Sequence, residues 1–245
     1  MCLIVFAWKL VPNCPLVLAA NRDEFFVRPT QAAAWWIDRP GVYAGRDLQA
    51  GGSWLGINRR GRVAALTNIR TGLPKPDDKR SRGELVANFL STDIDPLDYL
   101  TQVRDAAHDY HGFNLIFGDE HALYWITNGA TDSESGTVVE FKSLAPGVYG
   151  LSNGSLDTPW PKVVRAKAQF ASLLCQCAPD DAYFEMLTDT TRASDCRLPK
   201  TGVSLEWERL LSPICIESEG YGTRASTLVR LHAGGAAALT ERIIR

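Results

Sequence analysis

The chain has 245 residues, of which 45% are hydrophobic and 22% charged, and its formal net charge is −2. These values are ordinary for a soluble globular protein, and the length fits one large domain or two small ones. A net charge of −2 does not predict the basic surface that binds nucleic acid. The sequence also contains no run of ~20 apolar residues that could span a membrane.

The N-terminal segment predicts a β-hairpin. Residues 3–8 and 16–20 are near-continuous apolar runs, typical of strands that are covered on both faces. The stretch between them contains asparagine and proline and is expected to turn the chain. Because the open ends of a hairpin meet, Cys2 is expected to lie near residues 21–24, which read Asn-Arg-Asp-Glu.

The rest of the chain predicts strands and helices in separate blocks. Strands are predicted at 54–57, 62–66, 113–117, 123–127, 138–141, 148–152, 226–231 and 237–244, and helices at 83–90, 96–107, 159–174 and 180–187. Asp95 and Thr158 are predicted N-caps, and 73–82 and 189–204 are predicted loops, the first a candidate flap. Elements in blocks predict an α+β fold rather than alternating βαβ units. No linker interrupts them, so we expect a single domain over residues 1–245.

Cys2 is the first candidate for chemistry. Removal of Met1 would leave Cys2 with a free α-amine, which titrates at about 7.7–8.0 and can take the proton of the thiol. A nucleophile and its general base would then share one residue. The alternative is that Cys2 is a small apolar residue at the start of a buried strand.

Polar residues also stand where three other strands begin or end. Asn68 and Asn153 each follow an apolar run, and Arg224 precedes the strand predicted at 226–231. Asparagine amides can donate hydrogen bonds to an oxyanion, and an arginine can hold an anionic group. The alternative is that these residues only form turns.

The cysteines and histidines do not suggest a metal. The six cysteines stand at positions 2, 14, 175, 177, 196 and 215 without a disulfide-framework spacing. Cys175 and Cys177 have no second pair at zinc spacing, and His108 and His111, which could share a helical face, have no third ligand. The N-terminus has no positively charged leader region. We therefore expect reduced thiols, a cytoplasmic location, and neither a metal nor a cofactor.

Several longer motifs are shared with a known family. They are Met1-Cys2-Leu3-Ile4, Leu18–Phe25 with Arg28-Pro29, Gly52–Gly56, Ala65–Asn68, Ser81–Leu85, Gly112–Leu115, Tyr149–Asn153 with Thr158–Trp160, and Tyr221–Arg224. Their order and content resemble the NRDE family, which includes the transport and Golgi organisation protein 2 homologues. The resemblance extends from Met1 to about Arg242.

That family in turn resembles N-terminal-nucleophile hydrolases of the penicillin V acylase and bile-salt hydrolase type. The resemblance implies a four-layer αββα sandwich with Cys2 as the nucleophile. It also implies that Arg22 and Asp23 orient the Cys2 amine and thiol, and that Arg224 closes the pocket. Asn68 and Asn153 would then lie near the oxyanion, and Asn21, Glu24 and Trp54 are candidate substrate-binding residues. In the acylases two residues separate the arginine from the aspartate, so either Asp23 or Glu24 could hold the equivalent place.

Two functions follow from these features. The first is a cysteine N-terminal-nucleophile hydrolase that cleaves a small amide or thioester by acyl transfer. The second is a non-catalytic carrier of haem or an acyl-lipid, favoured by the family's association with lipid metabolism, haem handling and secretory organisation and by the adjacent Trp35 and Trp36. Either function requires a small-molecule ligand, and the sequence indicates no oligomeric state.

Two physical expectations concern the Cys2 site. In protein that has lost Met1, the Cys2 thiol should have a lowered pKa, because the nearby Arg22 favours the thiolate. Arg22 and Asp23 should form a buried, hydrogen-bonded pair that orients Cys2.

Overall fold

The structure, a computed structural model, describes residues 2–72, 79–132 and 136–245. Met1 and most of the loop predicted at 73–82 lie outside the described residues. The strands are β1 (Cys2–Val11), β2 (Cys14–Phe25), β3 (Thr30–Trp35), β4 (Val42–Asp47), β5 (Leu55–Asn58), β6 (Val63–Asn68), β7 (Phe113–Gly118), β8 (Leu123–Asp132), β9 (Gly136–Ser143), β10 (Gly147–Leu151), β11 (Tyr221–Leu231) and β12 (Ala237–Ile243). The helices are α1 (Gly83–Ser91), α2 (Pro96–Asp105), α3 (Pro161–Cys175), α4 (Asp180–Met186) and α5 (Leu205–Leu210).

The described strands form two antiparallel sheets. One has the order β10-β1-β2-β11-β12 and the other β3-β4-β5-β6-β7-β8-β9. The predicted N-terminal hairpin is confirmed, and its register places Cys2 directly opposite Arg22. The strands predicted at 54–57 and 62–66 correspond to β5 and β6, which form a second hairpin with Gly61 in its turn at a φ of 73°.

Three apolar layers hold the sheets and helices together. Helices α1 and α2 pack on the outer face of the seven-stranded sheet through residues such as Phe89 and Phe117. The two sheets meet through residues such as Phe6 and Trp125. Helices α3 and α4 cover the outer face of the five-stranded sheet. The molecule is therefore an α+β four-layer αββα sandwich, as predicted. None of the described helices is long and apolar enough to cross a membrane.

Several predicted element ends differ from the observed ones. Asp95 caps α2 as predicted, because its side chain accepts a 2.8 Å hydrogen bond from the Leu97 N–H. The predicted cap of α3 was wrong: this helix begins at Pro161, and the Thr158 hydroxyl donates to the Ser155 carbonyl instead. Strands β3 and β4 and helix α5 were not predicted, because their short sequences lack a clear apolar period.

A close approach of two glycines joins the start of α1 to the strand that follows residue 54. A β-carbon at Gly52 would lie 2.4 Å from the carbonyl carbon of Gly83, and the Ser53 N–H donates a 3.1 Å hydrogen bond to the Gly83 carbonyl. We expect Gly52→Ala to lower the free energy of unfolding by about 1–3 kcal/mol, because this backbone contact cannot relax without moving α1. Urea unfolding measures the change.

Gly220→Ala is the matched control for this variant. A β-carbon at Gly220 would meet no heavy atom within 4 Å, so its stability should stay close to that of the parent. Equal stability of the two variants would contradict the assigned contact between Gly52 and Gly83.

Candidate active site

A cavity of about 420 Å³ lies at the open end of the β1–β2 hairpin, where β1 begins and β2 ends. We call it the Cys2 cavity. Its walls come from both sheets and from the start of α1. It is lined by Cys2, Arg22, Asp23, Glu24, Arg28, Asp47, Gln49, Ala50, Ser53, Trp54, Leu66, Asn68, Lys79, Arg80, Ser81, Arg82, Gly83 and His111.

Arg22 lies directly opposite Cys2 in the hairpin. Their side chains share one face of the sheet, because opposed residues of an antiparallel pair point the same way. The Arg22 guanidinium stacks on the Trp54 ring at 4.1 Å, and burial lowers the pKa of Arg22. Arg22 is thus held in place by an aromatic face rather than by a carboxylate.

Burial dominates the pKa of the Cys2 thiol. In the chain that retains Met1, burial raises this pKa and Asp23 adds to the rise, whereas the N-terminal charge and Arg22 oppose it. Arg22 therefore favours the thiolate, as predicted. The lowered pKa predicted for protein that begins at Cys2 stays a prediction.

Arg22 and Asp23 do not form the expected hydrogen-bonded pair. They are consecutive on β2, and consecutive strand residues point to opposite faces. Arg22 faces Trp54 and the second sheet, whereas Asp23 faces α3. Asp23 accepts a 2.7 Å hydrogen bond from the Thr223 hydroxyl, and Lys162 Nζ lies 3.8 Å from its Oδ2.

Lys162 is the main residue of this region that the sequence analysis missed. The side chains of Lys162 and Asp23 are only 2% and 0% exposed. Burial lowers the pKa of Lys162 to about 8, although Asp23 acts in the opposite direction. Burial likewise raises the pKa of Asp23, and Lys162 opposes that rise. A sequence signal existed, because Lys162 stands four residues before the buried Ala166 and eight before the buried Phe170 on the apolar stripe of α3.

A second buried ion pair lies behind Asp23. Arg70 Nη1 is 2.8 Å from Glu208 Oε2, and each side chain is only 4% exposed. Thr201 also donates to Glu208 through both its N–H and its hydroxyl. The Arg70 guanidinium lies over the Trp160 ring. Arg70 also lowers the pKa of Asp23, although its effect is smaller than that of Lys162. The charge at Asp23 is thus embedded in a network that spans several elements.

The two predicted oxyanion asparagines lie close together but differ in setting. Asn68 lines the Cys2 cavity, and the Asn153 amide donates a 2.8 Å hydrogen bond to the Asn68 carbonyl. Asn153 is buried, and its neighbour Ser152 donates to the Cys2 carbonyl at 3.0 Å. Asn153 therefore touches the strand end that carries Asn68, and Ser152 ties the same segment to Cys2.

Arg224 and Asn21, like Asn153, do not line the Cys2 cavity. Arg224 sits at a bulge inside β11 rather than before the strand, and its guanidinium donates to the Phe25 and Arg28 carbonyls. Arg224 lines a separate cavity of about 200 Å³ on the far side of Arg22. The Asn21 amide donates to two backbone carbonyls, of Leu187 and Ile214, and so ties β2 to the helical layer.

Glu24 and Trp54 both line the Cys2 cavity. Glu24 Oε1 accepts a 2.9 Å hydrogen bond from the Phe25 N–H. Asp23 and Glu24 therefore have different surroundings: Asp23 is enclosed beside a lysine, and Glu24 lies at the cavity wall.

The remaining motifs occupy ordinary structural positions. Trp36 is buried in the core, whereas Trp35 is half exposed. His108 lies in a 3₁₀ turn, so it does not share a helical face with His111, which lines the Cys2 cavity. In the described ranges, no group of three His, Cys, Asp or Glu residues is placed to hold a metal ion.

Comparison with solved structures defines the class of fold. The N-acylethanolamine-hydrolyzing acid amidase orthologue of Caenorhabditis elegans superposes with a TM-score of 0.55 at 10% identity, over 92% of this chain and 91% of that one. A variant of the conjugated bile acid hydrolase of Clostridium perfringens gives 0.52 at 9% identity, over 100% and 92%. The chain thus has the αββα fold of the N-terminal-nucleophile hydrolases.

Sequence comparison then identifies the family. The family model described as "Transport and Golgi organisation 2" matches residues 1–245. The human transport and Golgi organization protein 2 homolog is 37% identical over 99% of this chain and 92% of its own length. The Drosophila melanogaster protein of the same name is 31% identical over 94% and 87%. The chain belongs to the transport and Golgi organisation 2 family, as the NRDE motifs predicted.

Proposed function

We propose that this protein is a cysteine N-terminal-nucleophile hydrolase that cleaves a small amide or thioester. The observation that carries the proposal is the position of Cys2, on the wall of a 420 Å³ cavity and opposite Arg22, in a fold shared with such hydrolases. A nucleophile, a cation and a buried carboxylate meet there at the end of one hairpin. This is the kind of arrangement that acyl transfer requires.

The proposed reaction begins after removal of Met1. The Cys2 thiol gives its proton to its own α-amine, and the thiolate attacks the substrate carbonyl. A C–S bond forms, and the resulting oxyanion accepts hydrogen bonds from the side-chain amides of Asn68 and Asn153. The C–N or thioester C–S bond then breaks, and the leaving group takes the proton from the α-ammonium. Water then attacks the acyl-enzyme, and the amine takes a proton from that water as the new C–O bond forms. The C–S bond to Cys2 breaks, the carboxylic acid leaves, and the α-ammonium returns its proton to the sulfur.

Asp23, rather than Glu24, is assigned to orient the amine. Its carboxylate is held from the far side by Thr223 and Lys162, so its position is defined before any substrate binds. A buried carboxylate is strongly stabilised by an adjacent ammonium, which suits it to the protonated α-amine. Arg22, stacked on Trp54, is assigned to the thiolate. The raised pKa of the Cys2 thiol is compatible with this scheme, because the amine removes the proton as attack begins.

The composition of the cavity wall favours a hydrolase over a carrier of haem or an acyl-lipid. Such ligands require extended apolar walls, whereas charged and polar side chains dominate the Cys2 cavity. Trp36, half of the aromatic pair that motivated the carrier hypothesis, belongs to the core. The six cysteines are unpaired, which supports a reducing compartment such as the cytoplasm. We take residues 1–245 to act as one domain.

A search for a covalent intermediate tests this proposal. We expect the purified protein to begin at Cys2 and to gain the mass of one acyl group when treated with amide, thioester or lactone probes. The N-terminal peptide should carry that group, because Cys2 alone combines the cavity with the α-amine. Intact mass and peptide mapping provide the measurement.

The exposed thiols of Cys175 and Cys196 provide the internal control. Acylation of these thiols without acylation of Cys2, in protein that begins at Cys2, would rule out the proposed nucleophile.

A further inference from the structure

The Cys2 cavity carries an excess of positive charge. In the part of the chain that the structure describes, five of the lining side chains are cationic and three are carboxylates. The cations are Arg22, Arg28, Lys79, Arg80 and Arg82, and the carboxylates are Asp23, Glu24 and Asp47. A cation that already pairs with a carboxylate of the protein is less available to a ligand.

Two of the arginines are engaged by carboxylates of the protein. Arg28 forms a two-pronged contact with Asp47, with Nη2 at 2.7 Å from Oδ2. Arg80 lies 2.5 Å from Glu84, at the entrance to α1. Their charges are thus largely neutralised by these protein carboxylates.

Arg22 and Arg82 differ from these two arginines. Within residues 2–72, 79–132 and 136–245, neither guanidinium forms an ion pair with a carboxylate. Arg22 is only 6% exposed, and its Nη1 has no hydrogen-bond acceptor there. Arg82 donates one hydrogen bond, from Nη1 to the Gly112 carbonyl at 3.1 Å. Burial lowers the pKa of Arg82, and Glu24 opposes this most strongly.

Arg82 and Cys2 both line the Cys2 cavity. An ionised Cys2 would raise the pKa of Arg82, so their charges interact across the cavity. The backbone of Arg82 is fixed as well, since it immediately precedes Gly83 and the close contact of Gly83 with Gly52. The backbone contact positions the start of this side chain, and the hydrogen bond to the Gly112 carbonyl holds its guanidinium.

We propose that the substrate carries a carboxylate or another anionic group, and that Arg82 binds it across the cavity from Cys2. Arginine is suited to this role because its planar fork matches a carboxylate with two parallel hydrogen bonds. Desolvation of a partly buried guanidinium that has no ion pair is costly, and an anionic ligand offsets that cost. The proposal adds a substrate class to the hydrolase assignment. It rests on that assignment only for the position of the anionic group relative to the acyl carbon. Arg22, next to the thiol, adds to the attraction.

Alkylation of Cys2 by two matched reagents tests the anion site without requiring turnover. Iodoacetate and iodoacetamide both form an S–C bond with the thiolate and release iodide, but only iodoacetate is anionic. The rate ratio of iodoacetate to iodoacetamide at Cys2 should exceed the ratio at the exposed Cys175, Cys177 and Cys196 by about ten-fold or more, as expected for electrostatic focusing in a cleft. Peptide mapping after short exposures gives both ratios in one sample.

Variants of Arg82 assign the effect to one residue. Arg82→Gln should remove most of the excess ratio at Cys2, leaving the smaller part due to Arg22, and Arg82→Lys should retain most of the preference. Arg59→Gln is the matched control, because Arg59 is exposed and lines a different cavity, and it should leave the ratio unchanged. If Arg82→Gln does not fold, Arg82→Lys and the fall of the parent ratio with added salt still provide the comparison.

Two ester or thioester pairs locate the anion on the substrate. Mono-p-nitrophenyl succinate against p-nitrophenyl butyrate places the charge on the acyl group. S-butyryl thioglycolate against its methyl ester places the charge on the leaving group. One pair should show an Arg82-dependent preference for the anionic member.

The outcomes separate the two proposals. An unchanged alkylation ratio in Arg82→Gln, or a parent ratio equal to that of the exposed thiols, overturns the anion site even if Cys2 forms acyl adducts. An Arg82-dependent ratio without any acyl adduct supports the anion site and counts against the hydrolase.

Discussion

Asp23→Ala is expected to lower the free energy of unfolding by about 3–5 kcal/mol, because it leaves the Lys162 ammonium buried without its carboxylate. The Thr223 hydroxyl also loses its 2.7 Å acceptor in this variant. Urea or thermal unfolding monitored by circular dichroism measures the loss. Asp195→Ala is the control, because its ion pair with Arg209 is exposed and solvent-screened, so its loss should leave the unfolding curve close to that of the parent.

The pairing itself is tested by a double-mutant cycle. Lys162→Met should also destabilise the protein, because it leaves Asp23 ionised and enclosed. The variant that combines Asp23→Ala with Lys162→Met should lose much less than the sum of the single losses, because no uncompensated charge remains. Additive losses would show that Asp23 and Lys162 do not interact.

The pH dependence gives an independent check on Lys162. Its pKa is about 8 in the folded protein, against an ordinary value of 10.5. Between these pH values the unfolded chain holds a proton that the folded protein has released, so the Lys162 contribution to stability rises with pH. The stability of the parent relative to Lys162→Met should therefore increase as the pH is raised from about 8 towards 10.5.

Cys2→Ala is expected to abolish turnover while ligand binding remains close to that of the parent. The substitution removes the nucleophilic sulfur and very little of the wall of the Cys2 cavity. Binding by calorimetry and turnover must be measured with the same ligand, chosen from the probes that acylate the parent. Retained turnover in Cys2→Ala would eliminate the mechanism proposed above.

Asn153→Ala should reduce turnover without abolishing it, in contrast to Cys2→Ala. It should lose on the order of 10²–10³ in rate if the asparagine pair stabilises the oxyanion. The structure adds that the Asn153 amide also holds the Asn68 carbonyl at 2.8 Å, so a stability measurement must accompany the rate. A carrier would bind its ligand equally well in the parent and both variants and would show no turnover in any of them.

Much of the fold could be predicted because its signals are local. The run of apolar residues in β1 and β2, the Gly61 turn and the Asp95 cap each depend on neighbours in the sequence. Strand β3, with the sequence TQAAAW, was missed because small residues at the edge of a sheet show no apolar alternation. Thr158 looked like a cap, but a turn ending in Trp160 starts α3 three residues later.

The candidate site divides in the same way. The hairpin register alone brings Cys2 beside Arg22, so their proximity could be predicted from the sequence. The partners of Asp23 could not, because Lys162 and Thr223 come from distant elements that only packing brings to β2. Arg82 likewise reaches the Cys2 cavity only because α1 packs against the Gly52 backbone.

The sequence by itself determined the N-terminal hairpin, the nucleophile candidate and the family, since these depend on short-range pattern and on motif order. The tertiary structure decided which charges meet, that Arg22 and Asp23 face opposite ways, and which cations remain open to a ligand. The physical reason is that ion pairing and desolvation depend on the distance between side chains in space and on their burial. Both are set by the packing of two sheets and two helical layers rather than by neighbours along the chain.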